Sequence, residues 1–336
     1  MTNTQMQTSR LGSTGPTVGR VGLGGMSMSG SYGPADESES IATVHAALDA
    51  GTRLIDTGDF YGMGHNELLI GRALADRPRE DTVLSVKFGG MIGPDGAWQG
   101  FDSRPAALRN FLSYSLRRLG VDYVDIYRPA RLDPTVPIED TVGAIAELIE
   151  AGYVRHIGLS EVGAETLRRA AAVHPIADLQ IEYSLISRGI EAEILPVCRE
   201  LGIGITAYGV LSRGLLSDSM RGHAGFRPGD YRAHAPRFQG ENLAANLKLA
   251  DTLAGLAEQK GCSTAQLAIA WVLGRGADIV PLIGARTRTR WAESLGALTV
   301  SLTAAEVAEI EAAVPADAAA GTRYEAGQMA ALDSER

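Results

Sequence analysis

Short apolar runs alternate along this chain with longer stretches in which apolar positions recur at helical spacing, and the junction between them is repeatedly a glycine. Ala50-Gly51 precedes TRLID, Leu119-Gly120 precedes VDYVDIY, and Ala151-Gly152 precedes YVRHIGLS. Leu201-Gly202 precedes IGITAY, and Arg275-Gly276 precedes ADIVPLIG. Glycine just past a helix takes the left-handed cap position, and strands alternating with helices build right-handed βαβ units. With VGLGG, TVLSVKF and ADLQIEY the reading reaches eight strands. Helices are predicted at about 36–50, 65–75, 104–119, 138–151, 163–173, 189–201, 241–260, 264–275, 288–297 and 303–313.

Eight such units in one chain predict an α/β fold of the (β/α)8 TIM-barrel type. Residues 8–19 alternate and turn at Gly15-Pro16, which predicts a β-hairpin capping one end. The expected organisation is a single domain over 1–336, with the barrel at about 8–314 and a C-terminal tail at 315–336. An open doubly wound sheet is the alternative, but G-x-G-x-x-G after the first strand is absent, and GLGGMSMSG leads into a loop. The glycine-rich Val21-Gly22-Leu23-Gly24-Gly25 suggests close approach of something to that backbone.

The repeat is interrupted at 214–240, a Gly-, Arg- and Pro-rich stretch readable as a lid or ligand clamp, or as a disordered connector. The polar, alanine-rich tail either folds over the mouth of the barrel or frays. Substrate specificity is expected in the loops at 89–103, 214–240 and 315–336.

Composition narrows the classes. The 336 residues are 45% hydrophobic and 21% charged, enough for a large core, with a formal net charge of -9 and no block of like charge. Nucleic acid and anionic membrane are therefore poor partners, and a small molecule is the expected one. Cys198 and Cys262 lack C-x-x-C spacing, and no histidine pair stands at metal-binding spacing, so neither disulfide nor metal is expected. His65 is the one histidine close to Tyr61, and a surface or capping role suits it better than a site role. Met1–Arg10 carries no apolar signal core, and no run approaches the roughly 18 apolar residues of a membrane span. The expectation is a soluble cytoplasmic protein whose oligomeric state is open.

The chemistry concentrates in Thr52–Gly62 and Val83–Lys87. Leu54-Ile55 delivers Asp56, the following loop presents Tyr61, and the next apolar run delivers Lys87. In a barrel these meet at the carboxyl ends of neighbouring strands. A free tyrosine titrates at roughly 10. A nearby ammonium favours phenolate, and a buried aspartate would hold that ammonium charged. Such a group can protonate a carbonyl oxygen as hydride reaches its carbon. A structural ion pair beside a loop aromatic is the plainer alternative.

The other strand ends are polar too: Tyr127-Arg128, Ser160-Glu161, Gln180 and Tyr183, Tyr208, then Gly284. A shared site explains them better than separate exits from the core. After the last strand, Gly284–Ser294 (GARTRTRWAES) combines arginines, threonines and a helix start, which suits a phosphate. A solvated basic helix start is the alternative.

The chain at this point resembles the aldo-keto reductase family, of bacterial, NADPH-dependent type, from Arg10 to about Val314. The carriers are LIDTGDFYGMGHNELLIGRAL, LSVKFG, SLRRLGVDYVDIY, GYVRHIGLS, LQIEYSLISR, TAYGVLSRGLL and PLIGARTRTRWAESLGAL. The resemblance implies a barrel oxidoreductase that binds NADPH (NADP+) in extended form and reduces an aldehyde or ketone reversibly. It makes Tyr61 the general acid, with Lys87 and Asp56 tuning it. Ser160, Glu161 and Gln180 would hold the carboxamide, and Tyr208 would stack on the nicotinamide. Gly209, Leu211, Arg213 and Gly214 would line the pyrophosphate. Arg286 and Arg290 would face the 2′-phosphate, and Glu293 and Ser294 the adenine. Gly25, Met26, Asp56 and Gly284 complete the expected nucleotide lining, and Tyr61, Phe88, Arg128 and Ala130 the substrate pocket.

Two departures stand out. Ala130 holds the place where the family usually has a histidine donor, which implies a roomier, less polar pocket and weaker transition-state stabilisation. Arg128, Arg131 or water are the open substitutes. Glu161 stands where asparagine is common, and an ionised carboxylate accepts but cannot donate. A nicotinamide-nucleotide sensor with little turnover is the rival reading, and a non-redox barrel enzyme acting on a phosphorylated substrate is a third.

Overall fold

A computed structural model of the chain describes residues 6–220, 225–226 and 229–336. Eight parallel strands close into a barrel: β3 (Gly22–Gly24), β4 (Leu54–Gly58), β5 (Val83–Phe88), β8 (Val124–Pro129), β9 (Val154–Ser160), β10 (Ile176–Glu182), β11 (Gly204–Tyr208) and β12 (Ile279–Gly284). All eight coincide with the apolar runs of the sequence. Helices α1 (Glu37–Asp49), α2 (His65–Leu74), α3 (Pro105–Leu119), α4 (Ile138–Glu150), α5 (Ala164–Val173), α6 (Ile194–Leu201), α8 (Thr264–Leu273) and α9 (Arg288–Leu295) follow the strands. The long α7 (Gly240–Lys260) precedes α8, and α10 (Ala304–Ala313) and the short α11 (Ala326–Ala330) close the chain. The glycine junctions are left-handed caps at Gly120 and Gly202, with φ of 68° at each.

α6 begins later than the predicted 189–201, after a separate turn at Gly189–Glu191. Pro196 is the reason: lacking an N–H, it fits only the first turn of a helix. The loop at 89–103 is not irregular. It folds into an antiparallel hairpin, β6 (Gly90–Ile92) with β7 (Trp98–Phe101), whose signal was the Pro94-Asp95-Gly96 turn.

The hairpin of β1 (Thr8–Arg10) and β2 (Thr17–Gly19) brings Leu11 and Val18 to Leu54, Val83, Ile126, Val280 and Leu282, a dry apolar plug at the amino end of the barrel. Two residues after Leu54, Val83 and Ile126, on the same strand face, the interior turns polar. Asp56, Ser85, Arg128, Asp178 and Thr206 form one buried layer, and Lys87, Ser160, Gln180 and Tyr208 follow in the next. The opposite strand faces carry Ile55, Leu84, Val86, Ile157, Leu179, Ile181 and Ile205 into the core beneath the helices. The half-polar barrel interior therefore directs chemistry to the carboxyl end. Among the described residues, no helix is long and apolar enough to cross a membrane, and no group of His, Cys, Asp or Glu is arranged to hold a metal ion.

Candidate active site

Asp56 and Lys87 lie on adjacent strands, two residues apart in register (Asp56 opposite Ser85, Gly58 opposite Lys87). The Lys87 ammonium donates to Asp56 Oδ1 and, at 2.7 Å, to Gln180 Oε1. Gln180 Nε2 and Ser85 Oγ donate to the other Asp56 oxygen, each at 2.8 Å. All four side chains are buried. Burial lowers the Lys87 ammonium to about 8, against the pull of Asp56.

Beneath them runs a second charged network. Arg128 donates to Ser85 Oγ at 2.9 Å and Asp178 Oδ2 at 3.0 Å, and Thr206 closes on the same Asp178 oxygen. Gly158 makes this layer sterically feasible, since a Cβ there would stand 2.8 Å from Asp178 Oδ1 and 3.0 Å from Arg128 Cζ.

Tyr61 opens a turn in which Gly62, Met63 and Gly64 all have positive φ (56°, 52° and 90°) before α2 begins. Met63 is not glycine, so the turn stores strain, as backbone at functional sites commonly does. Asn66 fastens this turn from below: its amide donates to Gly25 O and Ser29 Oγ, and its oxygen accepts from Thr57. Phe60 packs edge-on against Tyr61 with centroids 4.9 Å apart, and Trp98 of β7 packs on Phe60 in turn. The Lys87 ammonium stands 5.2 Å from the centre of the Tyr61 ring.

The electrostatics reverse one expectation. Burial and then the Asp56 charge push the Tyr61 phenol well above its ordinary value, and the cation that opposes them is Arg131. With its ammonium bound to Asp56 and Gln180, Lys87 does not dominate the phenol.

Two expected pocket residues lie elsewhere. Phe88 alternates with Lys87, so it points outward and stacks on Tyr127 at 4.3 Å beneath α3. Arg128 is fully buried in the barrel and bound to Asp178, out of reach of the mouth. Ala130 is buried, with its N–H donated to Phe88 O at 2.9 Å. The space beside it is not the less polar one expected: Arg131 turns back to donate to Ala130 O at 2.6 Å and reaches Ser160 Oγ at 3.4 Å.

The rim next to β3, β11 and β12 has features that suit an extended anionic ligand. After β11, Gly209, Ser212, Arg213 and Gly214 all take positive φ, with Leu211 between them. Ser212 Oγ is buried without a partner, as is Ser27 Oγ near Gly284. At α9, Thr287 caps the helix. Arg286 donates to the carbonyls of Tyr32, Gly33 and Pro34, tying the loop after Gly25 and Met26 to the loop after β12. Arg290 makes a surface pair with Glu293 at 2.8 Å, and Ser294 Oγ donates to Arg290 O.

With this geometry in place, comparisons with known proteins decide the family. The Aldo/keto reductase family model matches residues 20–315. The chain belongs to the aldo-keto reductase family. A curated relative, "Probable aldo-keto reductase 1" from Glycine max, is 42% identical over 327 residues, covering 96% of this chain and 93% of its own length. The solved glycerol dehydrogenase from Gluconobacter oxydans superimposes with a TM-score of 0.82 at 32% identity, over 94% of this chain and 97% of that one. A thermostable aldo-keto reductase, solved with the inhibitor epalrestat, gives 0.73 at 28% identity, over 92% and 100%. Membership makes the chain an oxidoreductase of carbonyl compounds and a nicotinamide cofactor its redox partner.

Within this aldo-keto reductase fold the tail is docked, not frayed. Arg323 pairs with Glu161 at 2.9 Å, Glu182 at 3.2 Å and Glu335 at 2.6 Å. Glu161 accepts as well from Ser334 Oγ, Tyr208 Oη and Glu182 N–H. Burial alone would raise the Glu161 carboxyl, but Arg323 with its neighbours brings it down to about 2. Both Glu161 oxygens thus serve the tail, contrary to the expected carboxamide contact. Its φ of 52° is a conformation asparagine tolerates better than glutamate, and these bonds hold it there. Tyr324 Oη meets Tyr208 Oη at 2.7 Å, and Arg213 lies over the Tyr324 ring while donating to Arg323 O.

Arg323, Tyr324 and Ser334 carried no local signal, because a tail segment reveals nothing of where it docks. Ser85, Asp178 and Thr206 did carry one: each stands two residues before a residue of the site, on the same strand face. Part of the lid stretch, residues 221–224 and 227–228, lies outside the described residues. Its described remainder forms short turns, of which Tyr231 donates its N–H to Ser31 O beside the mouth.

Proposed function

We propose that the protein reduces an aldehyde or ketone to the alcohol, reversibly, with NADPH as partner and Tyr61 as the proton donor. The observation that carries this reading is the phenol above a buried Asp56–Lys87–Gln180 cluster at the carboxyl end of the barrel. A bound dihydronicotinamide supplies the hydride. Ser160, Gln180 and Tyr208 would hold its ring, with Gly25 and Met26 close by. The strained run Gly209, Leu211, Ser212 and Gly214 would take the pyrophosphate, a fit supported by the unpartnered Ser212 hydroxyl. Arg286, Arg290 and Ser294 would take the adenosine phosphate. The Arg290–Glu293 contact is an exposed ion pair, of the kind worth about 1 kcal/mol or less, so a phosphate can displace it. Glu161 and Arg213 are left to the tail.

Tyr61 keeps its proton at neutral pH because burial disfavours phenolate, which suits an acid. When the carbonyl oxygen gains charge, the proton passes to it. The phenolate then left is favoured by the ammonium at 5.2 Å and by Arg131. The solved glycerol dehydrogenase is named for alcohol oxidation, which agrees with a reversible reaction.

The test is Tyr61→Phe. Reduction of a panel of aldehydes with NADPH should fall by at least about a hundredfold, the usual scale of a lost general acid. NADPH affinity, read from tryptophan quenching, should stay within a factor of two or three. Parental turnover in the variant would refute the reading. Tight NADPH binding with no turnover in the parent would favour a nucleotide sensor.

A further inference from the structure

The arginine immediately after Ala130 is, among the described residues, a partly buried cation at the mouth that no carboxylate pairs with directly. Arg128 is bound to Asp178, Arg213 and Arg237 to Glu182, and Arg323 to three carboxylates. The ammonium of Lys87 is held by Asp56 and Gln180. Among the described residues, no carboxylate lies within ion-pair distance of Arg131. Its contacts are neutral: Ala130 O at 2.6 Å, and the hydroxyls of Ser160 and Tyr324 at 3.4 Å each. Those two bonds are long and easily exchanged.

Geometry brings this guanidinium to the reacting centre. The Ala130 N–H bond to Phe88 O fixes the backbone after β8, and the bond from Arg131 to Ala130 O folds its side chain back over the alanine. A larger side chain at 130 would compete for that space. Arg131 thereby borders Ser160, an expected nicotinamide contact, and stands 5.8 Å from the centre of the Tyr324 ring, whose hydroxyl meets that of Tyr208; its charge also acts on the Tyr61 phenol. Burial disfavours its charge, but the phenol oxygens around it and the nearby Glu161 carboxylate oppose that, and the guanidinium stays protonated.

Resting on the reading of Tyr61 as acid, we propose that Arg131 is a second catalytic residue, donating a charged hydrogen bond to the substrate's carbonyl oxygen beside Tyr61. It replaces the donor that Ala130 cannot provide. A preorganised cation aimed at an oxygen that gains negative charge stabilises the transition state more than the ground state. Its bond to Tyr324 Oη gives the guanidinium a neutral resting partner, which a carbonyl oxygen displaces without breaking an ion pair. In the reverse direction the same charge favours the Tyr61 phenolate.

The experiment uses the full chain with Arg131→Ala and Arg131→Lys. For Arg131→Ala, kcat for aldehyde reduction should fall about fiftyfold or more, with NADPH affinity by fluorescence titration unchanged within threefold. Added guanidinium at millimolar concentration should restore at least a tenth of the parental kcat, and lysine should retain an intermediate rate. In alcohol oxidation, the rise of rate with pH should move to higher pH in Arg131→Ala, because the phenolate has lost its countercharge. A kcat within threefold of the parent, a loss confined to NADPH affinity, failure of guanidinium to rescue, or an unmoved pH profile each overturns the assignment. Tyr61→Phe separates the two levels: if it is inactive while Arg131→Ala is fully active, only the role of Arg131 falls. If Tyr61→Phe turns over normally, the underlying reading falls as well.

Discussion

At the scale of single residues, Asp56, Tyr61 and Lys87 were legible because each ends or follows a short apolar run, the one place in a barrel where a polar side chain reaches the mouth. Phe88 was not, because adjacent strand residues point to opposite faces and the resemblance alone did not say which. Asp59 offers a test at this scale. Its Oδ2 accepts the Gly89 N–H at 3.2 Å, its Oδ1 is buried without a partner, and burial raises the carboxyl to about 7. The folded chain therefore holds a proton that the unfolded chain has released above its ordinary value near 4. That contribution to stability is fully present below pH 4 and is lost as pH rises through about 7. Asp59→Asn should stabilise the protein by about 1–3 kcal/mol at pH 8 and by almost nothing at pH 4. Urea denaturation at the two pH values checks it, and an equal effect at both would contradict the assignment.

At the scale of elements, the helices and strands followed from glycine caps and apolar periodicity, which are local. The β6–β7 hairpin was also local, announced by Pro94-Asp95-Gly96, whereas the docked tail was not: Arg323 meets Glu161 across 162 residues of chain. The tail, which the sequence left either folded over the mouth or frayed, is held by that contact, since Arg323 neutralises two buried glutamates. Arg323→Ala should leave Glu161 and Glu182 without their main countercharge, a penalty on the order of 3–5 kcal/mol for a broken buried pair. The barrel should stay folded while the tail detaches. Hydrogen exchange should then show lost protection at Ser334, whose N–H bonds Glu161 O, with strands β4 and β5 unchanged. Adding Glu161→Gln should recover part of the loss, because it removes one of the stranded charges.

At the scale of the whole molecule, the barrel divides into an apolar plug under the hairpin and a polar upper half, and the division rests on fit as much as on charge. Gly158→Ala should break it. The new methyl meets Asp178 Oδ1 at 2.8 Å and Ile126 Cγ2 at 2.9 Å, closer than real side chains come, and Arg128 Cζ at a tight 3.0 Å, so the fully buried ion pair and its surroundings must shift. The expected cost is at least about 3 kcal/mol, read as a lower urea midpoint. Gly143→Ala in α4 is the matched control, since its Cβ meets nothing within 4 Å. It should stabilise by about 0.5–1 kcal/mol through helix propensity and a less flexible unfolded chain.

By itself the sequence determined the eight βα units, the closed parallel barrel and the meeting of Asp56, Lys87 and Gln180 at the strand ends, because these depend on period and on caps within a few residues. Only the tertiary structure decided the rest. It set Arg128 in the interior and Arg131 at the mouth, occupied Glu161 with the tail, and pushed the Tyr61 phenol up instead of down. Each of those outcomes depends on which charges become neighbours after closure and on how much water is left between them, and neither is written in the spacing of residues along the chain.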